Sequence, residues 1–131
     1  MNTKLDKILA EISAGELVDK ITILEIKKNK ISDENKLKEI DKELNSLNNT
    51  MDKFIKEKSK ILTFKDQLKE INLKLWDIED GKRTAEKNKD FGKIFIELAR
   101  NVYKFNDERA KIKLKINETL GSNIKEVKSH F

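Results

Sequence analysis

The stretch that decides the fold runs from Trp76 to Asn117. It reads W-D-I-E-D-G-K-R-T-A-E-K over 76–87, then a short polar connection, then F-G-K-I-F-I-E-L-A-R-N-V-Y-K-F-N-D-E-R-A-K-I-K-L-K-I-N over 91–117. It holds the only Trp, the only Tyr and all three Arg of the chain. In its second part, Phe91, Phe95, Leu98, Val102, Phe105, Ile112 and Ile116 recur at helical spacing, interrupted by Arg109. A second apolar series, Ile96, Ala99, Tyr103, Ala110 and Leu114, runs beside it. Two apolar faces predict two neighbours, so this helix, over about 91–118, is expected to be central. Asp90 is its expected N-cap and Gly121 its stop.

Working backwards, Leu68, Ile71, Leu75 and Ile78 form the seam of a helix over about 64–87, with Thr63-Phe64-Lys65-Asp66 as a capping box. Gly81 lies inside it, costing about 1 kcal/mol against Ala. Arg83 and Glu86 keep the helical pattern beyond it. If these two helices turn at Asn88-Lys89-Asp90 into an antiparallel hairpin, the register sets Trp76 near Tyr103 and Glu79 near Arg100. It also sets Asn72 near Asp107 and Glu70 near Arg109. The hairpin is expected to enclose the tryptophan with the guanidinium groups.

The N-terminal half carries two more helices. Ser13-Ala14-Gly15-Glu16 is a capping box, and Leu17, Ile21, Leu24 and Ile31 follow at helical spacing, giving a helix over about 14–30. Ser32-Asp33 offers the next cap. Over about 33–58, Leu37, Ile40, Leu44, Leu47, Met51 and Phe54 step by three and four, a heptad seam of coiled-coil kind. Such a seam contacts one neighbour, in the same chain or in another copy. Residues 1–12 fit a helical face or a short strand, and 122–131 are expected to be extended, with a possible short β pairing between the termini.

Composition agrees with this all-α reading. The 131 residues are 37% hydrophobic and 40% charged, with no Pro and four Gly. Elongated helices, each apolar on one stripe, need less apolar material than a compact sphere, and sheets need more turn residues. One helical domain over 1–131 is expected. The net charge of +5 comes from 29 basic and 24 acidic residues that interleave, so no block of one sign marks a nucleic-acid surface. No Cys is present, which excludes disulfides and thiolate metal sites. The first residues lack a signal peptide's apolar core, and no run reaches membrane-spanning length. A cytoplasmic protein is expected, with no membrane, cofactor or metal.

The motifs G-E-L-V-D-K-I-T-I-L-E-I-K at 15–27, L-W-D-I-E-D at 75–80 with Arg83, F-I-E-L-A-R-N-V-Y at 95–103, N-D-E-R-A-K-I-K at 106–113 and E-V-K-S at 126–129 together resemble a known family. It is a family of short bacterial and viral proteins classed only as a domain of unknown function, the one numbered 6165. The resemblance covers Ser13 to Ser129. It implies a complete unit with that family's fold and carries no activity, substrate or catalytic residue. Gly81 departs from the pattern, where a better helix former is usual. E-I-D-K-E-L at 39–44 is similar to a helix of the small all-helical chorismate mutases. The Arg that those enzymes place near the start of the first helix is missing here.

The residues whose chemistry looks chosen are few. Only three of the 29 basic residues are Arg, which suggests positions needing a planar, bidentate donor. Arg83, Arg100 and Arg109, with Tyr103, Glu16 and Lys20, are candidates for an anion pocket or for an internal ion-pair network. Asn106 and Asp107 are candidates for a polar layer beside them. Glu16, Asp19 and Lys20 open the first helix, where acidic groups also offset its dipole. Glu79 sits one turn before Arg83, the spacing of a surface ion pair. His130, the only histidine, lies at a tail. No phosphate loop, catalytic triad or zinc motif occurs. The expected role is a non-enzymatic contact module that self-associates through the 37–54 seam or meets another protein. The alternatives are a small enzyme or binder for a carboxylate or phosphate metabolite, and a nucleic-acid binder.

Overall fold

The structure is a computed structural model and describes residues 4–128; His130 and Ser129 lie outside the described residues. Four α-helices, α1 (Ala14–Lys30), α2 (Glu34–Phe54), α3 (Leu62–Lys87) and α4 (Lys93–Leu120), make an all-α fold, with a 3-10 turn at Lys58–Ile61. They form two antiparallel hairpins, α1 with α2 and α3 with α4.

The α1 start follows its cap. The Ser13 hydroxyl accepts from the Glu16 N–H at 3.1 Å. Its apolar face, Leu17, Val18, Ile21 and Leu24, is buried. Each such side chain contributes about 1.5–3 kcal/mol. α1 ends at Ile31, whose backbone turns extended, and Asp33 then caps α2 by accepting from the Lys36 N–H at 3.0 Å.

The α3–α4 register is the expected one. A Cβ on Gly81 would lie 3.2 Å from the Leu98 side chain, and the Lys74 ammonium sits 5.3 Å over the Phe105 ring. α3 runs unbroken through Gly81. Gly121 takes the left-handed conformation at φ 64°, and the Ser122 N–H reaches the Asn117 carbonyl at 2.8 Å, closing α4 as a Schellman stop.

Several expectations are corrected. The central helix is α1, not α4: α1 touches all three other helices, while α2 touches α1 alone. α1 lies obliquely across the second hairpin. Its first turns meet α4 at Lys113 and Asn117, and Glu25 near its other end meets Lys65 and Lys69 of α3. At about 1.5 Å per residue, α1 is far shorter than α3 or α4. So the hairpin beyond Trp76 and Phe105 projects as an arm with no third helix on it. That is why the second apolar series of α4 is largely uncovered: Ile96 is 46% and Tyr103 64% exposed. Trp76 is half-buried rather than enclosed. Among the described residues the only ring pair is Phe91 with Phe95.

The 37–54 seam packs within the chain along most of its length. Ile40, Leu44 and Met51 join the core that α1, α3 and α4 share. The helix stops at Phe54, which is 71% exposed, and Ile55 turns inward in its place. Thr63 is not a cap. The 3-10 turn winds directly into α3 to bury Ile61, so Thr63 is already inside the helix. Asp90 does not cap α4 either; its carboxylate accepts from the Gly92 N–H at 3.2 Å, one residue short of the helix. No strand occurs among the described residues. The termini meet through side chains instead: the Asn123 amide donates to Glu11 at 2.6 Å, and the Ala14 N–H donates to the Ser122 hydroxyl at 3.0 Å.

Candidate functional site

The chemistry-bearing residues collect where α1 crosses α4. On α1 a polar stripe recurs every third residue: Ser13, Glu16, Asp19 and Thr22. On α4 a matching stripe recurs every fourth: Arg109, Lys113 and Asn117. α3 adds Asn72. The stripes meet rung by rung. Asn117 accepts from the Gly15 N–H at 2.7 Å. Lys113 donates to Glu16 at 2.5 Å and stands 3.7 Å from Glu126 of the tail. Glu126 also accepts from the Ser13 hydroxyl at 2.8 Å.

Asp19 is the centre. Its side chain has no exposed surface. Arg109 grips it with two nitrogens: Nε donates to Oδ1 at 2.9 Å and Nη2 to Oδ2. The Asn72 amide donates to Asp19 Oδ1 at 2.9 Å and to the Thr22 hydroxyl at 3.0 Å. Thr22 in turn donates to the Asp19 carbonyl at 2.7 Å. Arg109 also reaches Asn106 at 3.3 Å. Hydrogen bonding to Asp19 holds the Arg109 guanidinium above its ordinary value, against the pull of burial; the charges of Asp19, Glu16 and Glu126 add to the rise. A buried carboxylate is tolerated only when so gripped.

This arrangement ties α1 to the second hairpin. Both Asp19 oxygens are occupied, and no face of the carboxylate is open to a substrate. Two shallow grooves, about 430 and 340 Å³, lie on the α1–α2 and α3–α4 surfaces. Neither is lined by Asp19, Arg83, Arg100 or Arg109. Among the described residues no group of three acidic or histidine side chains is placed to hold a metal. None of the described helices is long and apolar enough to cross a membrane.

Of the residues singled out in the sequence, Glu16, Asp19, Asn106 and Arg109 come together, with Lys20 at the rim 3.6 Å from Glu16. The others do not join them. Arg83 pairs with Glu79 at 3.1 Å on the exposed arm, and Arg100 and Tyr103 also stand exposed on it. Asp107 turns to Lys128 of the tail at 2.9 Å. The three Arg therefore form no common pocket. The expected partners change accordingly: Arg109 takes Asp19 rather than Glu70, and Asn72 takes Asp19 rather than Asp107. Thr22, Lys113, Asn117 and Glu126 were not anticipated. The three- and four-residue polar repeats on α1 and α4 are the signal that marks most of them.

The model of a family of unknown function, DUF6165, matches residues 8–130. The chain belongs to that family. No curated protein and no solved structure matches it. In this DUF6165 chain the run at 15–27 is the buried face of the hub helix. At Gly15 α1 and α4 approach closely: an added Cβ would overlap the Lys113 carbonyl oxygen and lie 3.0 Å from Asn117 Oδ1. Glu16, Asp19 and Thr22 supply the rungs, and Leu17, Val18, Ile21 and Leu24 supply the core.

Proposed function

We propose that this DUF6165 chain is a helical protein-contact module and not a catalyst. The observation that carries this is the division of labour in the molecule. The groups able to do acid–base or anion chemistry, Asp19, Arg109, Glu16 and Lys113, are consumed in holding α1 to the hairpin. The arm beyond them shows apolar side chains to solvent, with Phe91, Ile94, Ile96 and Tyr103 all exposed. An exposed apolar surface on a free-standing element is the usual mark of a contact face. The module is taken to act in the cytoplasm, as the sequence led us to expect.

The test is a thermal-shift screen of anionic metabolites and nucleotides, run on the wild type and on Arg100→Ala. The expected result is no shift for either protein. A shift at millimolar ligand that Arg100→Ala removes would overturn the reading in favour of a small-molecule site.

A further inference from the structure

The uncovered face of the arm is self-complementary, and we infer that it pairs with the same face of a second copy, α4 against α4 in antiparallel. This rests on the contact-module reading and names its partner. Along the outer flank of α4 the residues run Ile96, Glu97, Ala99, Arg100, Tyr103, Lys104. Reversing this series about a two-fold axis between Ala99 and Arg100 sets Ile96 of one copy against Tyr103 of the other, twice over. Both side chains are exposed in the single chain. Ala99, between them, leaves no bulk to hold the helices apart.

Charge supports the same alignment. In an antiparallel pair each flank faces its own counterpart. Glu97 of one copy then falls beside Arg100 and Lys104 of the other. Among the described residues, none of Glu97, Arg100 and Lys104 has an ion pair within the chain, and Asp107, one turn on, is already taken by Lys128. A parallel pairing would instead set this charged flank against the Ala99 and Asn106 flank of the other copy, where no opposite charge meets it. The antiparallel one brings only the Arg100 pair near the axis, with a Glu97 within reach of each. The fit is isologous, the geometry of a closed dimer. The overlap is short, so the pair sits at the weak end of the range of specific interfaces and is expected to dissociate on dilution.

The chain has no cysteine, which makes the test direct. Light scattering after size exclusion is expected to give twice the chain mass at high concentration, falling toward the chain mass on dilution. Tyr103→Glu is expected to abolish the doubling, with circular dichroism showing the helices intact. Glu97→Lys is expected to weaken it, and Glu97→Lys combined with Lys104→Glu to restore it. Arg100→Cys is expected to cross-link to itself under mild oxidation, while Glu86→Cys is not. A chain that stays monomeric at the highest concentration reached overturns the pairing. So does a dimer untouched by Tyr103→Glu and by the charge swap. Either result leaves the contact reading standing with another partner, whereas a metabolite shift lost in Arg100→Ala removes that reading itself.

Discussion

Two glycine-to-alanine changes should have opposite signs in this molecule. Helix propensity alone favours Ala at both, by about 1 kcal/mol in a helix interior and less in a first turn. At Gly15 the new methyl would overlap the Lys113 carbonyl oxygen and lie 3.0 Å from the carbonyl carbon. Those atoms are helix backbone and cannot rotate away, so α1 must lift from α4. Overpacking of this kind costs about 1–3 kcal/mol. Lifting also breaks the 2.7 Å bond from the Gly15 N–H to Asn117, a side chain only 1% exposed. Leaving those groups unpaired adds about 1–3 kcal/mol. After the propensity gain, Gly15→Ala should destabilise by about 1–5 kcal/mol, and the middle of that range lowers Tm by roughly 10 °C in a chain of this size. At Gly81 the nearest atom is a Leu98 methyl at 3.2 Å, the end of a side chain that can turn aside. There the propensity gain survives, and Gly81→Ala should stabilise by about 0.5 kcal/mol. Urea titrations of the three proteins, compared at constant slope, measure both values. If Gly15→Ala matches the wild type, or Gly81→Ala falls below it by more than about 1 kcal/mol, the close-approach argument fails.

Other perturbations probe the polar crossing and the caps. Asp19→Ala strands the Arg109 guanidinium and the Asn72 amide, and should cost about 3 kcal/mol in urea denaturation, while Glu79→Ala on the exposed arm should change stability by less than about 0.5 kcal/mol; equal losses would contradict the assignment of Asp19 as the centre. The raised Arg109 value adds stability that is fully present below the ordinary guanidinium range and is lost only as pH climbs above it. The stability gap between wild type and Arg109→Gln should therefore stay level from about pH 7 to about pH 10, and a gap that closes within that window would show that the pair does not hold the charge. Ser13→Ala removes a cap bond and should cost about 1 kcal/mol, whereas Thr63→Ala, inside its helix, should be within about 0.5 kcal/mol of neutral. Lys89 turns the hairpin at φ 54°, so Lys89→Gly should raise stability by about 0.5–1 kcal/mol, read as a higher urea midpoint.

Local features were legible where they depend on neighbours in sequence. The α1 bounds follow from Ser13 and from the apolar spacing behind it. The turn at 88–90 follows from a polar run between two apolar seams, and the Gly121 stop from a residue whose backbone preference acts alone. The register of the long hairpin was legible too, because two seams joined by so short a turn have few ways to align. Thr63 misled because a cap motif says nothing about the turn before it; burying Ile61 wound the chain early. The heptad seam at 37–54 announced a partner without naming it, since an apolar stripe fits any helix of suitable shape.

The sequence by itself thus determined the all-α class, the helices and the pairing of the last two, since these rest on periodicity, capping and short connections. Only the tertiary structure decided that α1 is the hub, that Arg109 grips Asp19, and that the end of the hairpin stands free. Those facts depend on how one short helix lies against two long ones. That contact is held by the close approach at Gly15 and by the polar rungs beside it, which come from residues as far apart as Ser13 and Glu126.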